Sequence, residues 1–191
     1  MNPATHFLIG WSAANIGVLK NRRDRALVVV ASIAPDFDGL GIVAEKLTAG
    51  SDTPLLWWSS YHHVLGHNLV YSAALSVLFG VAAIRKLRVA LVAFVALHLH
   101  LIGDFIGGRG PDGFDWPIRY FYPFHDAAFA WKHMWALNAW PNIALTLALL
   151  ALTLYWAVTL GRTPLEFVSV KTDEAVVATL RKRFSPERKA H

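Results

Sequence analysis

Apolar residues fall along the chain in five long runs, over residues 6–19, 26–44, 64–84, 89–106 and 137–160. A bilayer span needs about 20 consecutive apolar residues. The third, fourth and fifth runs meet that length. The first is short, and the second is interrupted by "APDFDGLG". Those two predict partial, re-entrant or bundle-buried helices. No run keeps the alternation of a strand, and no internal repeat is present. The pattern predicts an all-α integral membrane bundle of four to five helices.

The breaks between runs carry the charge. Residues 20–25 ("KNRRDR"), residues 85–88 ("RKLR") and the segment after Leu160 hold 14 of the 18 Lys and Arg residues. If the five runs alternate in direction, all three segments lie on one side, and the positive-inside rule makes that side cytoplasmic. This divides the chain into a membrane-embedded domain, residues 1–162, and a basic cytoplasmic tail, residues 163–191. The tail reads as a loose amphipathic segment with a frayed "SPERKAH" end. The N-terminal stretch lacks the basic n-region of a signal peptide and is expected to be retained as the first helix.

Eight of the nine histidines, all but His191, fall in the outer half of the runs or in the outer loops. His6 starts the first run. Asp36 and Asp38 follow the apolar part of the second. His62, His63 and His67 open the third, and His100 and Asp104 close the fourth. Chance would scatter such residues over both faces. Ionisable groups are costly at membrane depth unless paired or bound to a cation.

Composition strengthens the membrane reading. The chain is 55% hydrophobic and 16% charged, with a mean hydropathy of +0.39; soluble domains average about 25% charged. The eight tryptophans suit membrane–water interfaces. There is no cysteine, so a metal must be held by His, Asp or Glu. The net charge of +5 is explained by the helix ends, and no nucleic-acid partner is expected. The expected partners are the lipid bilayer and a substrate; the sequence does not set the oligomeric state.

His100 and Asp104 are four residues apart and share one helix face. Imidazole nitrogen and carboxylate oxygen both suit zinc, with manganese as the alternative. His98 lies on a different face and reads as structural. His63 and His67 are also four apart, while His62 can meet His67 if residues 61–64 form a cap or loop. Asp36 and Asp38, beside the turn-forming Pro35, suit a bridging carboxylate or solvated turn residues. In the outer loop, Arg109 and Arg119 can meet an anionic phosphate, and His125 and Asp126 are further candidate ligands. The loop aromatics Phe114, Trp116, Tyr120, Phe121, Tyr122 and Phe124 read as a lid or rim at headgroup depth. No G-x-S-x-G elbow and no P-loop is present. One or two divalent ions held by this cluster could clamp a phosphate and activate water.

These residues carry a resemblance. The chain resembles the predicted membrane-bound metal-dependent hydrolases of bacteria, the group that includes a LexA-regulated inner-membrane protein. That family has an early His, a "PDxD" element, an "HRxxTHS"-like element, and "HxxxD" in an apolar helix before a Gly/Pro-rich loop. Here these are His6, "PDFD" (35–38), "HHVLGHN" (62–68), "HLIGD" (100–104) and "GPDGFDWPIRYFYP" (110–123). The resemblance covers residues 1–125 and leaves out the tail. His63 stands where the family has Arg, and Gly66 and Asn68 where it has Thr and Ser. The family pattern favours His62 beside His67, helical spacing favours His63, and His62 is given the edge.

The family is distantly similar to zinc-dependent phospholipase C and P1-type nucleases. That similarity implies that Asp36, His67, His100 and Asp104 hold one metal with His6 near a second; with His62 from the family pattern, the expected metal ligands are His6, Asp36, His62, His67, His100 and Asp104. Together with the reading of the residues, this puts the expected catalytic work at Asp36, Asp38, His67 and Asp104, with Arg119 and His125 toward substrate. The activity implied is metal-dependent hydrolysis of a phosphoester in a lipid or envelope-related substrate, at the outer face of the bacterial inner membrane. The alternative is a membrane protein that binds or moves metal ions without hydrolysis; the apolar cytoplasmic halves of the helices argue against a path.

Overall fold

The computed structural model describes residues 1–110 and 113–184; the "SPERKAH" end lies outside the described residues. The helices are α1 (Pro3–Ile16), α2 (Arg22–Ile33), a 3₁₀ segment (Ala34–Leu40), α3 (Gly41–Thr48), α4 (Trp57–Tyr61), α5 (Leu69–Ala82), α6 (Lys86–Gly107), α7 (Trp140–Leu160), a second 3₁₀ segment (Pro164–Phe167) and α8 (Val170–Phe184). Among the described residues there is no strand, only two isolated bridges in the outer loop. The all-helical expectation holds, with more and shorter elements than the five runs suggested.

Local chemistry sets the starts. Asn2, Asn21 and Asn68 each accept a backbone N–H at the first turn of α1, α2 and α5, which supplies one of the orphan donors of a helix N-terminus. Asp24 is fully buried and accepts the amides of Ile84 and Arg85, tying α2 to the α5–α6 turn.

Three stretches are long and apolar enough to cross a membrane: Arg22–Thr48, Lys86–Gly107 and Trp140–Leu160. This corrects two expectations. The second run, interrupted in sequence, stays helical because "APDFDGL" continues α2 as a 3₁₀ segment. The third run yields only the 14-residue α5, because residues 62–68 are irregular and carry histidines instead of extending the helix.

The surface is that of a membrane protein. In α7 the buried residues are Asn142, Thr153 and Ala157, while Leu147, Leu154 and Tyr155 face outward. In α5 the buried residues are Ser72, Ser76 and Gly80, and Val77, Leu78 and Val81 are exposed. Small and polar residues inside with leucine outside fits hydrocarbon as the solvent.

Helix α6 is the centre, packed on α1, α2 and α5; α1 also packs on α2 and α7. Its buried stripe of Val89, Ala93, Ala96, Leu97, His100 and Asp104 follows helical spacing, so the apolar core and the polar residues share one face. Gly10 lets α1 approach α2: a Cβ there would fall 2.0 Å from Ser32 Oγ and 3.1 Å from Val29 Cα.

Residues 162–184 are ordered where the sequence suggested a loose tail. Asp173 accepts the Thr163 amide at 2.7 Å. Glu166 pairs with Arg25 through two bonds of 2.6 and 2.5 Å. Helix α8 packs on α7.

Candidate metal centre

Four elements deliver ionisable side chains to one place. Helix α6 supplies His100 and Asp104 from successive turns. Helix α1 supplies His6, the 3₁₀ segment supplies Asp36 and Asp38, and the loop before α5 supplies His62, His63 and His67. His6, His67 and His100 are fully buried, and Asp104 is 2% exposed. The convergence expected from sequence is therefore present as an arrangement in space.

The contacts centre on the Asp104 carboxylate. His6 Nε2 lies 3.1 Å from Oδ1, and the amino group of Met1 also contacts Oδ1. His100 Nε2 lies 2.9 Å and His67 Nε2 3.3 Å from Oδ2, yet Oδ2 has no partner in hydrogen-bonding geometry. His100 Nε2 lies 3.2 Å from His67 Nε2 and 3.6 Å from Asp36 Oδ1. Asp36 Oδ2, His6 Nδ1 and His63 Nδ1 are also buried without a partner. These unpartnered buried atoms are the ones a cation could use.

The rings are oriented from behind. His100 Nδ1 donates to the Ser32 carbonyl at 2.7 Å. His67 Nδ1 donates to Asp38 Oδ2 at 3.1 Å, and His62 Nδ1 donates to Asp38 Oδ1 at 2.8 Å. A histidine ligand usually gives its second N–H to a carboxylate or carbonyl, which fixes the tautomer and frees the other nitrogen. His67 and His100 have that arrangement. Asp38, expected among the catalytic residues and as a support for the ligands, holds the His62 and His67 rings and belongs to neither ligand group described below.

Two groups have the spacing to hold an ion. The ligand atoms of His6, Asp36, His100 and Asp104 lie within 4.8 Å of one another, and so do those of His63, His67 and Asp104. Asp104 belongs to both. A carboxylate has two oxygens and can serve two cations. The residues present fit one or two divalent ions with nitrogen and oxygen ligands, zinc first and manganese second.

The structure redistributes the histidines of the loop. His63, not His62, joins His67 and Asp104. His63 adopts a left-handed backbone, φ 62°, uncommon for a residue with a Cβ, and its ring stacks on His67 at 4.2 Å. Burial, and then the neighbouring His67, hold the His63 pKa well below its ordinary value, so its ring keeps a free lone pair at neutral pH. His62 falls outside both groups because Asp38 and the Trp58 ring, stacked at 3.9 Å, hold it at the mouth. Helical spacing did not decide this, since residues 62–68 are not a helix.

Gly66 makes the loop fit: a Cβ there would fall 2.4 Å from the Pro35 carbonyl oxygen. Its amide donates to Asp38 Oδ2 at 3.2 Å.

His67 behaves differently from His63. Burial pushes its pKa down, but hydrogen bonds and charge from Asp104 and Asp38 outweigh this and raise it to about 9. The carboxylates thus draw a positive charge onto the one ring placed between them.

Other candidates fall elsewhere. His98 bonds the Phe94 carbonyl and the Tyr120 hydroxyl, as a structural tie. His125 is exposed, its Nδ1 accepts the Ala127 amide, and it belongs to neither ligand group. Arg109 is spent on Asp115. Arg119 lines an outer cavity of about 400 Å³ with His62, Trp58 and Trp116. Ser32, which orients His100 through its backbone oxygen, had no signal in the sequence. Trp116 was expected only at headgroup depth, yet its ring lies 4.6 Å from His62.

The family described as YdjM inner membrane protein matches residues 1–178. The chain belongs to the YdjM inner membrane protein family. The match takes in every residue of the two ligand groups and reaches into α8, whereas the motifs quoted from sequence stop at residue 125. The YdjM description gives a location, the inner membrane, and no activity. No curated protein and no solved structure matches the chain.

Proposed function

We propose that this YdjM-family protein is a metal-dependent phosphoester hydrolase acting on a lipid or envelope-related substrate at the outer face of the inner membrane. The observation that carries the reading is the meeting of His67 Nε2 and His100 Nε2, 3.2 Å apart, at the unpartnered Oδ2 of Asp104. Both Nδ1 atoms are already committed to acceptors, so the two facing Nε2 atoms need a positive charge between them, a proton on His67 or a bound cation.

His6, Asp36, His100 and Asp104 would hold one ion, and His63, His67 and Asp104 a second. A bound zinc ion lowers the pKa of its water to about 7 and polarises a phosphoryl oxygen. The chain's own part is orientation and charge. Asp38 and Ser32 fix the rings. His62, held by Asp38 at the mouth, can exchange a proton with the leaving oxygen. Arg119 supplies positive charge beside it for the phosphate.

The orientation follows from the helix ends. The basic residues lie at the start of α2 and α6, and the His/Asp cluster lies at the far end of both. From Arg88 to Asp104 that is about 24 Å along α6. With the basic ends inside, α2 and α6 run outward and α5 and α7 return the chain, so the cluster would face the periplasm.

The test is elemental analysis of the detergent-purified full chain beside the His100→Ala/Asp104→Ala variant. One or two zinc or manganese ions per chain, absent from a variant that keeps its helical circular dichroism, support the reading. A phosphoester screen follows. A wild-type chain that takes up no divalent metal after reconstitution overturns it.

A further inference from the structure

We propose that the substrate of this site is a phosphorylated amphiphile, one hydrocarbon chain of which lies in a groove beside α1, α2 and α7, with Asp36 at the junction of chain and phosphate. This rests on the phosphoester reading above. Three cavities, sharing residues in sequence, carry it.

The first is an apolar groove of about 660 Å³ lined by Ala4, Phe7, Leu8, Ile33, Phe37 and Leu150. That volume falls within the roughly 300–1,000 Å³ of small-molecule sites. Its one ionisable lining residue is Asp36, which it shares, with Pro3, with a second cavity of about 350 Å³. That second cavity reaches Trp58, His62, His63 and Trp116. The third shares Trp58, His62 and Trp116 with it and adds Ser59, Ser60 and Arg119. The path thus runs from a greasy groove, past Asp36, to a polar and cationic mouth. Asp36 Oδ1 lies 3.6 Å from His100 Nε2, so the path touches the ligand cluster where apolar lining gives way to polar.

The position of the groove selects its occupant. Ile33 and Leu150 belong to two of the stretches long enough to cross a bilayer, so the surrounding solvent is hydrocarbon. A soluble phosphate ester has no reason to enter it. A lipid tail gains little affinity there either, because the bilayer is already apolar. The groove therefore acts on position: it sets which bond of the amphiphile arrives at Asp36. The mouth supplies the affinity, through Arg119 and the aromatic rings of Trp58 and Trp116.

The experiment must accordingly read position. The zinc-loaded full chain in dodecyl maltoside, which carries no phosphate, is photolabelled with hexadecylphosphonate bearing a diazirine at the chain end. Hexadecanol with the same diazirine is the control, and labelled residues are mapped by mass spectrometry. Zinc content is measured on the same samples. The expected result is at least tenfold more labelling of Phe7, Leu8 and Leu150 by the phosphonate than by the alcohol. Ala4→Trp, which fills the groove from an exposed position, should abolish that preference with zinc content unchanged. Leu150→Trp serves as a second filling variant should Ala4→Trp fail to fold. Equal labelling by both probes, or phosphonate labels spread over the outer faces of α5 and α6, overturns the groove while zinc content still upholds the hydrolase reading. A wild-type sample without zinc fails that reading by a separate number and takes the groove with it.

Discussion

His67 and His100 come from different elements and meet through their Nε2 atoms, 3.2 Å apart, with Asp104 Oδ2 alongside both. Each ring has already given its Nδ1 proton, to Asp38 and to the Ser32 carbonyl. Two neutral rings so held would set lone pair against lone pair. A positive charge between them resolves this, either a proton on His67 or a bound cation. The chemistry of the centre is a competition between the two.

That competition sets a pH dependence. In the metal-free protein His67 has a pKa raised to about 9, above the ordinary value of about 6.5. The protonated ring stabilises the metal-free fold fully below pH about 6.5, and the contribution is lost as pH rises through about 9. A metal must displace that proton at any pH below about 9. Apparent zinc affinity should rise by about tenfold per pH unit for this one proton as pH climbs toward 9. Competition titrations with a chromophoric chelator at pH 6, 7 and 8 measure the slope. An affinity flat over that range would show that His67 does not bind the ion.

Asp38 touches both His62 and His67 but lies outside both ligand groups. Loss of such an orienting carboxylate typically costs 10–100-fold in metal affinity. Asp38→Ala should fall in that range, and Asp38→Asn, which keeps one acceptor oxygen, should lose less. If Asp38→Ala instead lost all metal while remaining folded, Asp38 would be a ligand itself.

The two neighbouring histidines should separate cleanly. His63→Ala removes a member of the second group and should lower zinc content by about one ion per chain where two are bound. His62→Ala should leave zinc content unchanged and reduce turnover. Elemental analysis of both variants decides between them, and the reverse outcome would restore His62 as the ligand.

Much of this was legible in the sequence because membranes make polar residues conspicuous. His100 and Asp104 stand out in an apolar helix, and four-residue spacing places them on one face. The same reasoning found His6, Asp36 and His67. It failed where position depends on irregular backbone. The choice between His62 and His63 turns on a left-handed residue in a loop, which no periodicity encodes. Asp38 was expected to complete or support the ligands, but which rings it would hold depends on which way a 3₁₀ turn points it. Ser32 acts through its carbonyl, and a carbonyl is common to every residue. The order of residues 163–184 was missed for a different reason. Its anchor, Glu166, pairs with a residue 141 positions earlier, and only the folded chain brings them together.

That anchor offers a control on stability at the other end of the molecule. Arg25 is 4% exposed and Glu166 6%. Removing one partner of a buried pair leaves an uncompensated charge and costs about 3–5 kcal/mol. Arg25 Nη1 also donates to the carbonyls of Leu19 and Lys20, which places Glu166→Ala at the low end, about 3 kcal/mol. For a chain of this size that is a fall of about 6–12 °C in the unfolding midpoint. An apolar replacement of both residues, Arg25→Met with Glu166→Leu, removes the buried ion pair whole and should recover part of the loss, the remainder being the Leu19 and Lys20 carbonyls left without their Arg25 donor. Differential scanning fluorimetry in detergent reads both. Zinc content should stay at the wild-type value in each, because the pair sits at the basic end of α2 and the His/Asp cluster at the other. A loss of zinc on breaking this pair would mean that the two ends of the bundle are coupled, and that the order of α8 reaches the centre.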